Sequence, residues 1–121
     1  MNAEVIKKWG ETSAYKEYAE KTKDYCDQKW NNLAERMDHI MAEFALCMKN
    51  KETPDSSEAQ KLVKVLQSYI TENYYLCTNE ILSELGQMYV ADERFKNSID
   101  KYAEGTAEFI CEAVRGYCNS N

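Results

Sequence analysis

The chain has 121 residues, of which 44% are hydrophobic and 30% charged, and its net charge is −6. This composition excludes a disordered chain and disfavours direct binding to nucleic acid or to an anionic membrane, because such surfaces attract clustered Lys and Arg. No segment has the ~20 consecutive apolar residues of a membrane helix, and the N-terminus lacks the apolar core of a signal peptide, so we expect a cytoplasmic protein.

The composition also predicts the fold class. Only four glycines and one proline interrupt a chain rich in Ala, Glu, Lys, Leu and Met. Such a chain favours an all-α fold, and its length favours a single domain over residues 1–121. Five cysteines without a CxxC pair indicate reduced thiols rather than a disulfide framework or a zinc site.

The N-terminal quarter has few large apolar side chains apart from aromatic ones. A short helix is predicted near residues 3–9, and it ends at Gly10. A second helical piece follows, with a narrow stripe of side chains at Tyr15, Tyr18, Thr22 and Tyr25. Residues 1–26 offer too little apolar surface to offset their ordering entropy, so we expect them to be weakly ordered without a partner.

Two long helices come next in the chain. Residues 27–49 carry apolar side chains at spacings of three and four, which predicts one buried face. Pro54 lies in the one clear loop, and Asp55 or Ser56 can cap a helix over residues 57–74.

The remaining chain predicts helices near residues 78–89, 92–102 and 104–117. Gly86 lies inside the first of them, where glycine costs about 1 kcal/mol relative to alanine. A glycine at this position indicates close approach by another helix or by a ligand. Whether the last two helices run continuously through Gly105 is left open.

Catalytic chemistry finds little support in the sequence. His39 is the only histidine, and it falls between the apolar positions of its helix, so we expect it to face solvent. No second ligand stands at metal-binding spacing, and no base can be assigned to a nucleophile. The pair Glu80 and Glu84 is typical of a solvated helix face. We therefore predict no catalytic residue, no metal, no cofactor and no enzyme.

The aromatic content is more informative. Nine Tyr, two Trp, three Phe and five Met exceed what a small helical core needs. Tyrosine combines a flat apolar face with a hydroxyl group, which suits flat, partly polar ligands, and methionine adapts to irregular shapes. Several tyrosines lie on sparse or mixed faces, where a ligand site is as good an interpretation as the core: Tyr15, Tyr18, Tyr69, Tyr74 and Tyr75.

Cys77 lies just before or at the start of a predicted helix. The positive end of the helix dipole and the free N–H groups there favour a thiolate, which would make this cysteine reactive. The alternative is an inert thiol, because a free cysteine is most often a small buried hydrophobe.

Three blocks of the chain resemble a known family. The strings KKWGETSAYKEYAEKTKDY, TPDSSEAQKLV and YYLCTNEILSELGQMYVADERFKNSIDKYAEGTAEFI are similar to the TipAS domain, in order and with compatible spacing. This is the antibiotic-recognition domain found at the C-terminus of some MerR-type transcriptional activators, and sometimes alone. The resemblance implies a globin-like, haem-free fold of five to seven helices, in which an N-terminal lid closes over a cleft that binds large multi-ring or macrocyclic antibiotics.

The resemblance also implies roles for residues. Cys77 matches the motif of a cysteine that adds to a dehydroalanine of a thiopeptide. Asn73, Leu82 and Ser83 stand where the thiopeptide-binding pattern has Trp, His and Arg, so the chemotype of the ligand stays open. The expected ligand-binding residues are Trp9, Tyr15, Tyr18, Met41, Tyr69, Tyr74, Cys77, Met88 and Tyr89.

The expected partner is a small-molecule antibiotic or drug. A DNA-binding domain is either fused to this domain in a longer protein or absent. The alternative is a helical interaction or dimerisation module without a small-molecule site, whose exposed aromatic side chains form a protein interface. A thiol enzyme is the weakest interpretation.

Overall fold

Six α-helices form the part of the chain that the structure, a computed structural model, describes. That part comprises residues 13–120, so the helix predicted at residues 3–9 lies outside it. The all-α class is confirmed, and the predicted helices agree with the observed ones to within a few residues. The helices are α1 (Ser13–Thr22), α2 (Asp27–Lys49), α3 (Ser57–Asn73), α4 (Asn79–Ala91), α5 (Glu93–Asp100) and α6 (Thr106–Ser120).

Short polar side chains begin three of the helices. The Ser56 hydroxyl accepts the N–H of Ala59 at 3.1 Å at the start of α3, and the Thr78 hydroxyl begins α4 in the same way. Asp92 caps α5 through the N–H of Arg94 at 2.9 Å. Each cap satisfies an N–H group that would otherwise lack a partner, which is typically worth about 1 kcal/mol.

Helix α6 lies at the centre of the packing and contacts α2, α3, α4 and α5. Its inward face is made of small and branched side chains that are fully or almost fully buried, namely Ala107, Ile110, Ala113 and Val114. The most extensive of the interfaces joins α6 to α4. A Cβ placed on Gly86 would lie 3.2 Å from Cγ1 of Val114, so the close approach predicted at this glycine is to another helix.

Gly105 separates the last two helices. Its φ of +92° lies in the left-handed region that favours glycine. The Asp100 carboxylate, at the end of α5, accepts the N–H of Ala107 in the first turn of α6 at 2.9 Å. Helices α5 and α6 are therefore distinct, which answers the question that the sequence left open. None of the described helices has the length and apolarity needed to cross a bilayer.

Candidate functional site

Five aromatic side chains from α1, α2, α3 and the connecting segments pack together. Tyr74 stands at the centre. Its ring is stacked on Tyr18 at 6.0 Å between centroids and on Trp30 at 6.3 Å. It meets Tyr69 edge-on at 5.7 Å. Tyr25 adds an edge contact to Trp30 at 5.3 Å. We call these five residues the aromatic cluster. Stacked and edge-on pairs of this kind each add about 0.5–1.5 kcal/mol beyond area burial.

The two innermost hydroxyl groups of the aromatic cluster are hydrogen-bonded. The Tyr69 hydroxyl lies 2.8 Å from the Leu33 carbonyl oxygen and 3.0 Å from the Tyr74 hydroxyl. Burial raises the pKa of both phenols. They are therefore neutral at physiological pH, and the cluster presents uncharged, semi-polar surface.

Helix α1 covers the aromatic cluster and satisfies the end of α3. The last four carbonyl groups of a helix lack partners within it. Here the Lys21 ammonium donates to the Thr71 carbonyl at 2.6 Å, and the Tyr25 hydroxyl donates to the Asn73 carbonyl at 2.6 Å. The Glu17 carboxylate accepts the N–H of Leu76 at 2.8 Å. The positive charge of Lys21 also complements the negative end of the α3 dipole.

Cys77 lies in the segment between α3 and α4, and it is buried with 3% of its surface exposed. Its N–H donates to the Thr71 hydroxyl at 3.1 Å, and its carbonyl accepts from the Gln67 side chain at 2.8 Å. Burial, with a smaller contribution from Cys118, raises the pKa of the Cys77 thiol from 9.0 to about 12. Of the two interpretations that the sequence left open, a reactive thiolate and an inert thiol, the neutral thiol holds in this conformation. The N-cap of α4 is Thr78, and desolvation outweighs the helix dipole.

A surface pocket of about 350 Å³ opens beside this segment. It lies against the C-terminal half of α3, and Cys77 forms part of its wall. Its lining residues are Gln67, Ser68, Thr71, Glu72, Leu76 and Cys77. A path from solvent thus leads to the residue whose thiol is the candidate covalent anchor.

Two further buried phenols lie near the thiol. Burial, followed by the effect of Cys77, raises the pKa of Tyr89. The pKa of Tyr75 is raised by burial, then by Cys77 and Tyr89. The Tyr75 hydroxyl has no hydrogen-bond partner, and it is the only buried side-chain N or O atom of the described residues in that condition. Leaving a polar group buried and unpaired costs about 1–3 kcal/mol.

The structure brings together some of the predicted site residues and separates others. Tyr18, Tyr69 and Tyr74 meet in the aromatic cluster, and Tyr89 lies near Cys77. Tyr15 is 43% exposed on α1.

The other three predicted residues are a core methionine, a methionine at a second pocket and a tryptophan outside the described residues. Met41 is a core residue of α2. Met88 is half-buried on α4 and lines a separate small pocket with Glu84 and Gln87. Trp9 lies outside the described residues. Tyr18 of α1 packs against Tyr74, which is buried with 3% of its surface exposed.

The sequence-based set omits several side chains that the structure places in or beside this site. Tyr25 belongs to the stripe of side chains that the sequence analysis found with Tyr18, so this stripe could have identified Tyr25 as a site residue. Trp30 follows the turn after α1, and no pattern connects it with Tyr74, 44 positions away. The bonds from Glu17 and Lys21 to the far end of α3 have no sequence signature either.

Metal and acid–base chemistry find no assembled group here. Among residues 13–120, no three His, Cys, Asp or Glu side chains converge to hold a metal ion. His39 is exposed, as predicted, and lies 3.7 Å from Glu43. All five cysteines are free. What the described site presents is a cluster of neutral aromatic surfaces and hydroxyl groups beside a protonated thiol.

Comparison with known proteins identifies the family. Residues 1–117 match the sequence profile of the TipAS antibiotic-recognition domain. The chain belongs to the TipAS family. The description of this family is one of ligand recognition rather than of catalysis, and it agrees with the resemblance carried by the three sequence blocks.

Curated relatives of this TipAS domain are transcriptional activators. The HTH-type activator TipA of Streptomyces coelicolor is 34% identical over 111 residues, which cover 92% of this chain and 44% of TipA. The HTH-type activator mta of Bacillus subtilis is 36% identical over 116 residues, which cover 96% of this chain and 44% of mta. The TipAS domain described here thus spans less than half the length of these relatives.

Two solved structures share the fold. TipAS from Streptomyces lividans in complex with nosiheptide, from a thiopeptide antibiotic multidrug resistance system, matches with a TM-score of 0.85 and 32% identity. That match covers 98% of this chain and 82% of the other. The antibiotic-binding domain of a TipA-class multidrug resistance regulator matches with a TM-score of 0.69 and 30% identity, over 75% of this chain and 97% of the other.

Proposed function

We propose that this TipAS domain captures hydrophobic multi-ring or macrocyclic antibiotics, thiopeptide-like compounds among them, at the aromatic cluster. The observation that carries the proposal is the position of Tyr74, whose ring faces two stacked aromatic neighbours and lies three residues before Cys77. Such a site offers flat apolar faces, hydroxyl groups and a soft nucleophile in one place. The family and the nosiheptide complex of the S. lividans relative support the same ligand class.

Helix α1 acts as the lid in this proposal. Aromatic rings of the ligand replace Tyr18 against Tyr74 when α1 moves away. The carbonyl group of Thr71 loses its bond to Lys21 at the same time, and an amide N–H group of the ligand takes that bond. The lid therefore satisfies in the free protein an acceptor that the ligand satisfies in the complex, which limits the cost of opening.

The proposed ligand-contacting residues are those that the sequence pointed to, with two additions from the structure. Tyr25 and Trp30 join the wall, since both rings belong to the aromatic cluster. The remaining set keeps Trp9, Tyr15 and Tyr18 on the lid side, and Met41, Tyr69, Tyr74, Cys77, Met88 and Tyr89 on the wall side.

Cys77 is the proposed covalent anchor. Its thiol is protonated in the closed conformation, because burial raises its pKa to about 12. Addition to a dehydroalanine therefore requires that the segment between α3 and α4 first opens. A bound multi-ring ligand favours this opening, whereas a small electrophile reacts only during spontaneous openings of the free protein. Selectivity follows from this order of events, because an electrophile that does not displace α1 meets a thiol that is poorly nucleophilic.

The wider setting of the domain follows from its relatives. In a regulator such as TipA or mta, a recognition domain linked to a DNA-binding domain transmits ligand capture to transcription. A stand-alone domain of the same kind lowers the concentration of free drug. We propose one of these two roles for this chain, and no catalytic one.

An interface function finds less support. The exposed large apolar side chains of the described residues are Tyr15, Leu46, Val65 and Leu76. They belong to α1, α2, α3 and the following segment, one in each, and single exposed apolar residues are ordinary on a protein surface.

The deciding experiment is intact-mass spectrometry under denaturing conditions after incubation of the reduced protein with nosiheptide. We expect an adduct that maps to Cys77 and is absent from Cys77→Ala. Cys26→Ala, which removes an exposed thiol, is the matched control and retains the adduct.

The two variants separate covalent capture from binding. Binding is measured by quenching of Trp fluorescence. If the wild-type protein binds nosiheptide but forms no adduct, its function is limited to non-covalent capture. Absence of both binding and adduct, with nosiheptide and with structurally different multi-ring antibiotics, would contradict the proposal.

A further inference from the structure

The Tyr75 hydroxyl is a donor without an acceptor in the free protein. The side chain is fully buried, and its oxygen alone, of the buried side-chain N and O atoms described, has no partner. Its neighbours in sequence and space do not share this condition, because the hydroxyl groups of Tyr69 and Tyr74 bond to each other. A buried polar group of this kind is expected to find its partner in another state of the molecule, such as the ligand-bound one.

Tyr75 and Cys77 point to the same side of the segment that connects α3 and α4. Tyr75 and Cys77 are buried, whereas Leu76 between them is 57% exposed. This alternation is typical of an extended segment, in which side chains two residues apart share a face. The pKa of Tyr75 is raised in part by Cys77, in agreement with that placement. The unpaired Tyr75 hydroxyl thus lies on the same face of this segment as Cys77, the candidate nucleophile.

The addition of a thiol to a dehydroalanine needs a donor. The sulfur forms a bond to the β-carbon, and the electron pair of the carbon–carbon double bond moves toward the carbonyl oxygen as an enolate. The proton that leaves the sulfur ends on the α-carbon, so the reaction needs no oxidant or reductant. The developing negative charge on the oxygen is unstable in a water-poor site unless a positioned N–H or O–H group faces it.

The backbone N–H groups of Leu76 and Cys77 are engaged in the free protein. The N–H of Leu76 bonds to the Glu17 carboxylate, and the N–H of Cys77 bonds to the Thr71 hydroxyl. The Tyr75 hydroxyl remains protonated at physiological pH, because burial raises its pKa. It is therefore an available donor on the same face of this segment.

We propose that the Tyr75 hydroxyl donates a hydrogen bond to the carbonyl oxygen of the α,β-unsaturated amide that Cys77 attacks. This makes Tyr75 a ligand-contacting residue that speeds covalent capture. The inference rests on the proposed function of Cys77 as a covalent anchor. It also explains why a buried hydroxyl is kept without a partner in the free protein.

The test is Tyr75→Phe, which removes the hydroxyl and keeps the ring. The rate of adduct formation at Cys77 is followed by mass spectrometry with nosiheptide and with the minimal acceptor methyl 2-acetamidoacrylate. We expect both rates to fall by about 100-fold, as is typical when a single donor to a developing oxyanion is lost. Alkylation of Cys77 by iodoacetamide produces no enolate, so we expect its rate to stay within twofold of wild type.

Free-protein stability supplies the second readout. Tyr75→Phe removes an unpaired buried polar atom, so we expect its urea midpoint to equal or exceed that of wild type. Tyr102→Phe is the matched control. Its hydroxyl is bonded to Asp38, and its loss lowers the urea midpoint without changing the adduct rate.

Each contrary outcome has a distinct meaning. A wild-type adduct rate in Tyr75→Phe overturns the role of Tyr75 and leaves Cys77 as the anchor. Equal slowing of adduct formation and of iodoacetamide alkylation shows a merely structural effect and also overturns that role. No adduct at Cys77 in the wild-type protein with either acceptor overturns the proposed anchor and this inference together.

Discussion

Four buried side chains with weakly acidic groups lie in α3, in the segment that follows it, or in α4. They are the phenols of Tyr69, Tyr75 and Tyr89 and the thiol of Cys77. Burial is the main cause that raises the pKa of each. All four are neutral at physiological pH, so these side chains present uncharged hydroxyl and thiol groups. Their protonation state suits a multi-ring ligand that carries little charge, because none of the four has to be desolvated as an ion when the ligand binds.

Stability at alkaline pH should depend on Cys77. Its thiol has a pKa of about 12 in the folded protein and an ordinary value of 9.0. The stability that this group contributes is complete below pH 9 and decreases between pH 9 and 12, where the unfolded state has lost the proton and the folded state has not. The slope of the free energy of unfolding is about −1.4 kcal/mol per pH unit for one such group.

We therefore expect Cys77→Ala to have a shallower dependence of the free energy of unfolding on pH between pH 8.5 and 10.5, measured by urea denaturation. Cys26→Ala, at an exposed position, should run parallel to wild type. Parallel curves for wild type and Cys77→Ala would contradict the buried, protonated thiol.

At the scale of elements, docking of α1 depends on a few polar bonds. Lys21→Met keeps the aliphatic stem and removes the bond to the Thr71 carbonyl. We expect it to cost about 1 kcal/mol and to reduce the protection of Ser13–Thr22 amides against hydrogen exchange. Lys23→Met is the matched control, because Lys23 pairs only with the exposed Glu20. Equal protection in the two variants would show that Lys21 does not hold α1 on α3.

The α4–α6 interface depends on Gly86. Gly86→Ala improves helix propensity by about 1 kcal/mol, but the new Cβ lies 3.2 Å from the β-branched Val114, which is 1% exposed. Overpacking of this kind costs about 1–3 kcal/mol. We expect a net loss of about 1 kcal/mol in thermal or urea unfolding.

A double-mutant cycle separates these two effects. The Val114→Ala background removes the Cγ1 contact at 3.2 Å and keeps the Cβ at 3.3 Å, so Gly86→Ala should become less destabilising there. A change of the same sign and size in both backgrounds would contradict the steric explanation.

On the scale of the whole molecule, ligand capture and stability are coupled. A ligand that binds only the folded state raises the free energy of unfolding by about 2.7 kcal/mol at a concentration one hundred times its Kd. We expect nosiheptide, applied to Cys77→Ala so that no adduct forms, to raise the Tm by several degrees. Tyr102→Phe combined with Cys77→Ala should show the same shift. An unchanged Tm at saturating nosiheptide would contradict non-covalent capture.

Parts of the fold and of the site were predictable because they depend on local patterns. Apolar and aromatic side chains at helical spacing located the six described helices to within a few residues. Ser56 was identified as one of two candidate caps, and Gly86 as a point of close approach. Tyr18, Tyr69 and Tyr74 were identified because they lie on sparse or mixed helix faces, where packing in the core does not explain a tyrosine.

Other features depend on contacts between distant positions. Tyr74 meets Trp30 of α2 across 44 positions, and Glu17 reaches Leu76 across 59 positions. No pattern along the chain contains such distances. The position of Cys77 before a helix was correct, but the sequence left open whether the residue is a thiolate or an inert thiol. Burial decides for the neutral thiol, and burial depends on the whole fold, whereas the helix dipole depends only on neighbouring residues.

By itself, the sequence determined the all-α class, the order of the helices and the family, because these follow from short-range periodicity, capping and motif spacing. Tertiary structure alone decided that α1 lies on the aromatic cluster, that Cys77 is protonated, and that the Tyr75 hydroxyl has no partner. These properties depend on desolvation and on hydrogen-bond geometry, and both arise only when segments far apart in the chain exclude water together.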